Sequence, residues 1–103
     1  MADTPVLDLL ASMTADSIEA SSLDPETLML VRIAALVAVD AAPISYVANL
    51  EVVSDLEIDP DQVRGVLAAI APIVGTARIV SALSKIATGL EIELEAAEIA
   101  AEA

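Results

Sequence analysis

The sequence predicts an all-α protein of about five helices, and three observations support this fold class. Two Asp-Pro pairs, Asp24-Pro25 and Asp59-Pro60, are typical of helix starts, where the acid caps backbone amides and proline fits the first helical position. The segments after them are rich in Ala, Leu, Val and Ile over more than ten residues. There is no strand–turn–strand pattern with an Asn-Gly or Asp-Gly turn.

The first helix is predicted to run from about Pro5 to Met13, and an extension toward Ile18 stays open. Its apolar residues are Val6, Leu7, Leu9 and Leu10. A linker with the sequence EASSL follows and separates this helix from the rest of the chain.

The second and third helices are each marked by a proline. Asp24 and Pro25 begin the second, which is apolar on nearly all sides apart from Arg32 and is therefore expected to be buried on most sides. The third is predicted from Pro43 to about Leu56.

The fourth helix repeats the start signal of the second. Asp59 is the expected cap, Pro60 the first helical residue, and Gln62 stands where the second partner of a capping box belongs. Pro72 and Gly75 are expected to end or kink this helix.

The last helix is predicted to begin near Thr76 and to carry two stripes. The polar stripe holds Arg78, Ser81, Lys85 and Thr88, and the apolar stripe holds Ile79, Leu83, Ile86 and Leu90. Residues 91–103 are interpreted as an acidic helical tail, because Leu, Glu and Ala favour helix. Its acids repel one another at helical spacing, so the tail is expected to fray or to dock on a partner subunit.

Composition predicts a homo-oligomer formed from one domain, residues 1–103. The chain is 57% hydrophobic, although its formal net charge is −13. A domain of 103 residues has too much surface to bury so many apolar groups alone, so we expect subunits to cover one another's apolar faces. The alternative is a monomer with an alanine-rich surface.

The same composition excludes several kinds of chemistry. Without Cys or His, the chain has no thiol redox centre, no Cys/His zinc site and no imidazole catalyst. No spaced calcium loop is present, so neither metal nor cofactor is predicted. Four scattered basic residues argue against nucleic acid and anionic membranes as partners. We expect a cytoplasmic protein, because no secretory signal or membrane-spanning stretch is evident.

Two segments, LDPETLMLVRIAALVAV and GVLAAIAPIVGTARIVSALSKIA, with a proline-started helix between them, resemble the carboxymuconolactone decarboxylase family and its AhpD-like relatives. The resemblance covers roughly Leu23 to Leu90, leaving an N-terminal helix and linker, residues 1–22, and the acidic tail, residues 91–103. It implies an all-α fold and a homo-oligomer, commonly a trimer or hexamer, which agrees with the expectation from composition.

The resemblance also identifies which catalytic groups have been replaced. The redox branch of the family carries a Cys-x-x-Cys-x-x-x-His motif, which aligns with Ala42, Ser45 and Asn49. Its relay glutamate has no acidic counterpart in residues 28–31, and the histidine of the decarboxylase branch is missing as well. The resemblance therefore supports the helical fold, and the replaced residues argue against the family's catalytic activity in this chain.

The candidate pocket residues are Ser45, Tyr46, Asn49 and Arg32. Ser45 and Asn49 share one helix face, which is expected to point inward, and Tyr46 borders it. In one reading they line a ligand pocket, with Tyr46 as a wall or weak acid. In the other, Ser45 bonds nearby backbone and Asn49 bonds across an interface or to a buried water.

Arg32 leaves two roles open, a buried interface ion pair and a clamp for a substrate carboxylate. Arg78 is interpreted as an ordinary surface residue, because it lies on a polar stripe. Ser45 has no evident general base, since Glu51 falls on the other side of its helix.

Three functional hypotheses follow. The first is a homo-oligomeric helical protein without the family's chemistry, with a structural, assembly or small-ligand-binding role. The second is an enzyme of altered chemistry acting on a small carboxylic acid or lactone. The third makes the acidic tail a docking element for a larger assembly. No catalytic residue is predicted.

Overall fold

A computed structural model describes residues 3–88, and this part of the chain is helical with short connections. Four complete helices are α1 (Pro5–Ala20), α2 (Pro25–Ala38), α3 (Pro43–Asp55) and α4 (Pro60–Val74). A fifth helix, α5, occupies 76–88 up to the last described residue. No strand occurs within 3–88, so the all-α prediction is confirmed there. The predicted tail, residues 91–103, lies outside the described residues.

The predicted start signals at α2 and α4 are confirmed in atomic detail. The Asp24 carboxylate accepts the Thr27 amide at 2.9 Å. At α4 the capping box is complete, because the Gln62 side chain also accepts the Asp59 amide at 3.0 Å. The structure thus begins both helices where the Asp-Pro pairs predicted.

The hydrophobic core lies where α2 packs against α3 and α4. Ile33 and Val37 of α2 and Tyr46 of α3 are its most completely buried large side chains. One turn further along, Leu50 and Val53 continue the buried stripe of α3. The remaining members come from the start of α2, from α4, from α5 and from the loop before α4: Leu28, Met29, Ile58, Val63, Leu67, Ala82 and Ile86.

Helix α1 stands apart from this core. It runs beyond Met13 to Ala20, in agreement with the extension toward Ile18 that the sequence left open, and it contains no buried residue. Its apolar side chains from Val6 to Ile18 are all more than half exposed. Val31 of α2 is also exposed, although most residues of α2 from Leu28 to Val37 are buried or half-buried, as predicted.

Helices α2 and α3 end in the same backbone motif, with an acidic residue in the left-handed conformation. Asp40 has φ of 53° and Glu57 has φ of 56°. The next amides, at Ala41 and Ile58, bond back to carbonyls five residues earlier at 3.0 and 3.1 Å, as in a Schellman motif. Glycine usually occupies this left-handed position, because it has no Cβ.

The polar stripe of α5 packs onto the end of α2. Arg78 Nη1 donates to the Ala38 carbonyl. The Asp40 carboxylate accepts Ser81 Oγ and Lys85 Nζ, each at 2.8 Å. Arg78 is an exposed residue, as the sequence suggested, and it also satisfies a carbonyl at a helix end.

The apolar stripe of α5 is confirmed only in part. Ile86 is buried and Ile79 is partly buried, but Leu83 is 51% exposed and Ala82 is buried in its place. Leu90 lies outside the described residues. Gly75, with φ of 90°, ends α4 as predicted. No helix within residues 3–88 is long and apolar enough to cross a bilayer.

Candidate functional site

A groove of about 480 Å³ lies between α1, α2 and α3, and it contains two of the four predicted pocket residues, Arg32 and Asn49. We call it the α1 groove. Its third polar residue is Thr14 of α1. The other lining residues are apolar: Ile18, Met29, Ala35, Leu36, Ala48 and Val52. This is the composition of a small-molecule site, with apolar walls and a few polar groups.

Arg32 connects the walls of the α1 groove. Its Nη2 atom lies 3.4 Å from the Thr14 carbonyl oxygen and 3.3 Å from Ser17 Oγ, so it donates to α1 from α2. The two ion pairs found within residues 3–88 are Arg64–Asp61 and Lys85–Asp40. Arg32 therefore brings a positive charge to the groove without a carboxylate partner among the described residues.

Asn49 lies across the groove from Arg32, on α3. Its Nδ2 atom donates to the Ser45 carbonyl oxygen, one turn earlier, at 2.9 Å. This bond stays within one helix, and it orients the amide with its oxygen as the remaining acceptor. The Ser45 side chain is exposed and does not line the groove.

Tyr46 belongs to the core rather than to the groove. It is completely buried, and its hydroxyl has no hydrogen-bond partner. Burial raises the pKa of the phenol above its usual 10.0, and the nearby charge of Asp40 raises it further. Tyr46 does not line the α1 groove, because its side chain is enclosed in the core.

The prediction that Ser45 and Asn49 point inward is wrong for the single chain. The buried stripe of α3 is Tyr46, Leu50 and Val53, and the stripe with Ser45 and Asn49 is exposed or half-exposed. Its continuation at Leu56 is 40% exposed. Ser45 and Asn49 therefore lie on a face of α3 that does not pack into the core.

The three positions aligned with the family's redox motif lie at the start of α3. Ala42 is the residue before the first turn of α3, and it makes no side-chain cap bond. Among the described residues, the hydrogen bond between Ser45 and Asn49 goes to the Ser45 backbone and not to its hydroxyl. Within residues 3–88 no cluster of acids could hold a metal ion.

Residues of α1 are the part of this site that the sequence did not predict. Thr14 and Ile18 line the groove because α1 continues beyond Met13. The sequence feature that could have indicated this extension is the stretch TADSIEA after Met13. Its Ala and Glu residues favour helix, whereas its Thr, Asp and Ser residues are weak helix formers.

Comparison with known proteins finds no matching family model, no matching curated protein and no matching solved structure. The resemblance to the carboxymuconolactone decarboxylase family therefore stays a prediction from the sequence. The helical architecture within residues 3–88 and the α1 groove rest on the structure itself.

Proposed function

We propose that this chain is a homo-oligomeric helical protein with a structural or assembly role, without the redox or histidine chemistry of the family it resembles. The exposed apolar face of α1 carries the proposal. Val6, Leu10 and Met13 fall on one stripe of that helix at the three- and four-residue spacing of helix packing, and each is more than half exposed.

A helix in this position needs a partner surface. An isolated helix of about 16 residues is marginal in water, and most helices in proteins are stabilised by packing of an apolar face. The core of the same chain does not provide that packing, since α1 contains no buried residue. A second copy supplies an equivalent apolar surface at the same concentration, and closed symmetric assemblies are the commonest outcome.

The trimer or hexamer suggested by the family resemblance agrees with this requirement. A net charge of −13 on each chain favours apolar contact areas with acids placed outside them. Burial of each half-exposed Leu, Val or Met of α1 would contribute on the order of 1 kcal/mol. Several such side chains acting together are needed to offset the entropy lost on association.

Charge placed on the apolar stripe of α1 tests the proposal. Met13→Glu should shift the assembly toward monomer, because it forces a carboxylate into the contact. Ala15→Glu is the matched control: it lies on the opposite side of the same helix and adds the same charge. Size-exclusion chromatography with light scattering measures the mass, and circular dichroism verifies that the helices persist. Equal masses for both variants and the unmodified chain would contradict the role of α1.

A second candidate function is binding of a small carboxylate, with an altered enzyme as its extension. It is favoured by the α1 groove, where the guanidinium of Arg32 pairs with no carboxylate of residues 3–88 and Asn49 lines the same groove. Titration with hexanoate, followed by NMR of the Asn49 side-chain amide, should give a saturable shift that Arg32→Lys weakens. No shift would remove this candidate. Turnover that Asn49→Ala abolishes would instead establish an enzyme.

A further inference from the structure

A second and larger groove, about 800 Å³ in volume, lies on the other side of α3, bordered by α4 and α5. We call it the α4 groove. Its floor and walls are apolar: Leu50, Val53, Ile58, Val63, Leu67 and Ile86. Leu83, half-exposed, stands at its α5 side. The floor and wall residues belong to the core and are each at most 9% exposed, so Leu83 is the large apolar side chain that this groove exposes among the described residues.

The rim of the α4 groove is acidic. Glu57 and Asp59 contribute carboxylates, and the one basic lining residue, Arg64, is paired with Asp61 at 2.9 Å. Because Arg64 is already neutralised by that neighbour, the rim presents net negative charge. An apolar floor with an acidic rim is complementary to an apolar surface flanked by cations.

Glu57, at this rim, has an unfavourable backbone conformation. Its φ of 56° is in the left-handed region, where a side chain with a Cβ is disfavoured relative to glycine. No side-chain hydrogen bond of Glu57 is found among the described residues that would offset this cost. This conformation ends α3 in the same motif as Asp40 ends α2, and the Glu57 carboxylate lies at the rim of the α4 groove.

We propose that the α4 groove binds an amphipathic helix of another protein, with its apolar side chains in the groove and its Lys or Arg side chains against Glu57. Docking of an amphipathic helix in an apolar groove is an established mode of peptide recognition, in which anchors at one-turn spacing enter the groove. The charges at the rim would set the orientation and the partner, and the apolar floor would supply most of the affinity.

A second copy of this chain does not fit that description. The whole sequence contains four basic residues against 17 acids, and the four are spread over α2, α4 and α5: Arg32, Arg64, Arg78 and Lys85. Helix α1, the exposed apolar helix, carries acids and no base. The sequence that follows residue 88 is also an unsuitable occupant of the α4 groove, because it is acidic and the rim of the groove is acidic as well. The complementary partner is therefore a basic segment of a different protein.

The test uses the full chain and a fluorescent synthetic helix of leucine and lysine, about four turns long, with the leucines on one face. The counter-probe has glutamate in place of every lysine. Fluorescence anisotropy should show saturable one-to-one binding of the lysine peptide, and none of the glutamate peptide.

Two pairs of variants locate the binding. Leu83→Ser should weaken it about tenfold, because apolar area is lost from the groove. Val80→Ser, also exposed on α5 but outside the groove, should leave it unchanged. Glu57→Gln should weaken it about two- to fivefold, as expected for an ion pair at a rim. Glu51→Gln removes the same charge outside the groove and is its control.

Three results would overturn the proposal. Equal effects of groove and control variants would mean that the peptide is attracted by the general acidity of the chain. Equal binding of the two peptides would remove the role of charge. Absence of binding would mean that the α4 groove does not accept a basic amphipathic helix. None of these results changes the test of α1, because the variants differ.

Discussion

At the scale of single residues, the ends of α2 and α3 each place a residue with a Cβ in the left-handed conformation that favours glycine. Asp40 and Glu57 both adopt positive φ without being glycine. The two acids differ in what they gain, because Asp40 accepts bonds from Ser81 and Lys85, whereas no side-chain bond is found for Glu57.

Glu57→Gly is expected to raise the free energy of unfolding by about 0.5–1 kcal/mol. Relief of the left-handed strain exceeds the added flexibility of the unfolded chain. Urea denaturation followed by circular dichroism measures the change. Asp40→Gly is the comparison, and it should increase the free energy of unfolding less or lower it, because it also removes the bonds to α5. A less stable Glu57→Gly protein would mean that the Glu57 side chain makes a stabilising contact.

The Tyr46 hydroxyl gives a second prediction. Tyr46→Phe should leave the protein equally stable or stabilise it by up to about 1 kcal/mol, because a buried hydroxyl without a partner carries an uncompensated desolvation cost. Thermal and urea denaturation provide the measurement. A loss of stability would show that the hydroxyl is bonded in solution, for example to a buried water, and that the core is more polar there.

Which face of α3 points inward could not be predicted from its residues. Apolar side chains occur all around this helix, so the stripe through Tyr46 and the stripe through Asn49 look similar in the sequence. The choice is made by contact with Ile33 and Val37 of α2. Arg32 was a sound candidate because it is the lone basic residue of its helix, yet its bonds to Thr14 and Ser17 lie in the part of α1 that the sequence left open.

At the scale of elements, the bounds of the helices were predicted well, but the contacts that stabilise their ends were not. The start of a helix depends on residues that are close in the sequence. Proline stands in the first turn of all four complete helices, and aspartate caps two of them. The end of α2 depends instead on Arg78, Ser81 and Lys85, about 40 residues later in the chain. Periodicity placed these three on one stripe but could not identify what they contact.

The junction between α2 and α5 should make stability depend on pH. The hydrogen bond from Lys85, then that from Ser81 and the positive charge of Lys85, hold the pKa of Asp40 below its ordinary 3.8. A carboxyl whose pKa is lowered by folding contributes its full stability above the unfolded value. That contribution is lost as the pH falls through the lower folded value.

Asp40→Asn tests this dependence. Its stability deficit relative to the unmodified protein should be largest near neutral pH and should shrink as the pH is lowered through 3.8 and below. Denaturation midpoints of the two proteins across this range measure the deficit. Lys85→Met should behave alike, because it removes the other half of the pair. A deficit that does not change with pH would contradict the ion pair.

At the scale of the whole molecule, the described residues form a small core with two open grooves and one uncovered helix. The α1 groove and the apolar stripe of α1 face one side of α3, and the α4 groove faces the other. The excess of apolar residues in the composition anticipated this exposure. The location of the open surfaces was not predictable, because it depends on how α1 and α5 are placed around α3.

The central claim is that copies of this chain cover α1, and native mass spectrometry of the purified full-length chain tests it most directly. The account predicts one assembly, with three or six times the mass of a single chain. Small-molecule adducts, resolved in the same spectrum, would report on the α1 groove. A monomer at physiological ionic strength would contradict the account, because the apolar side chains of α1 would then remain in water.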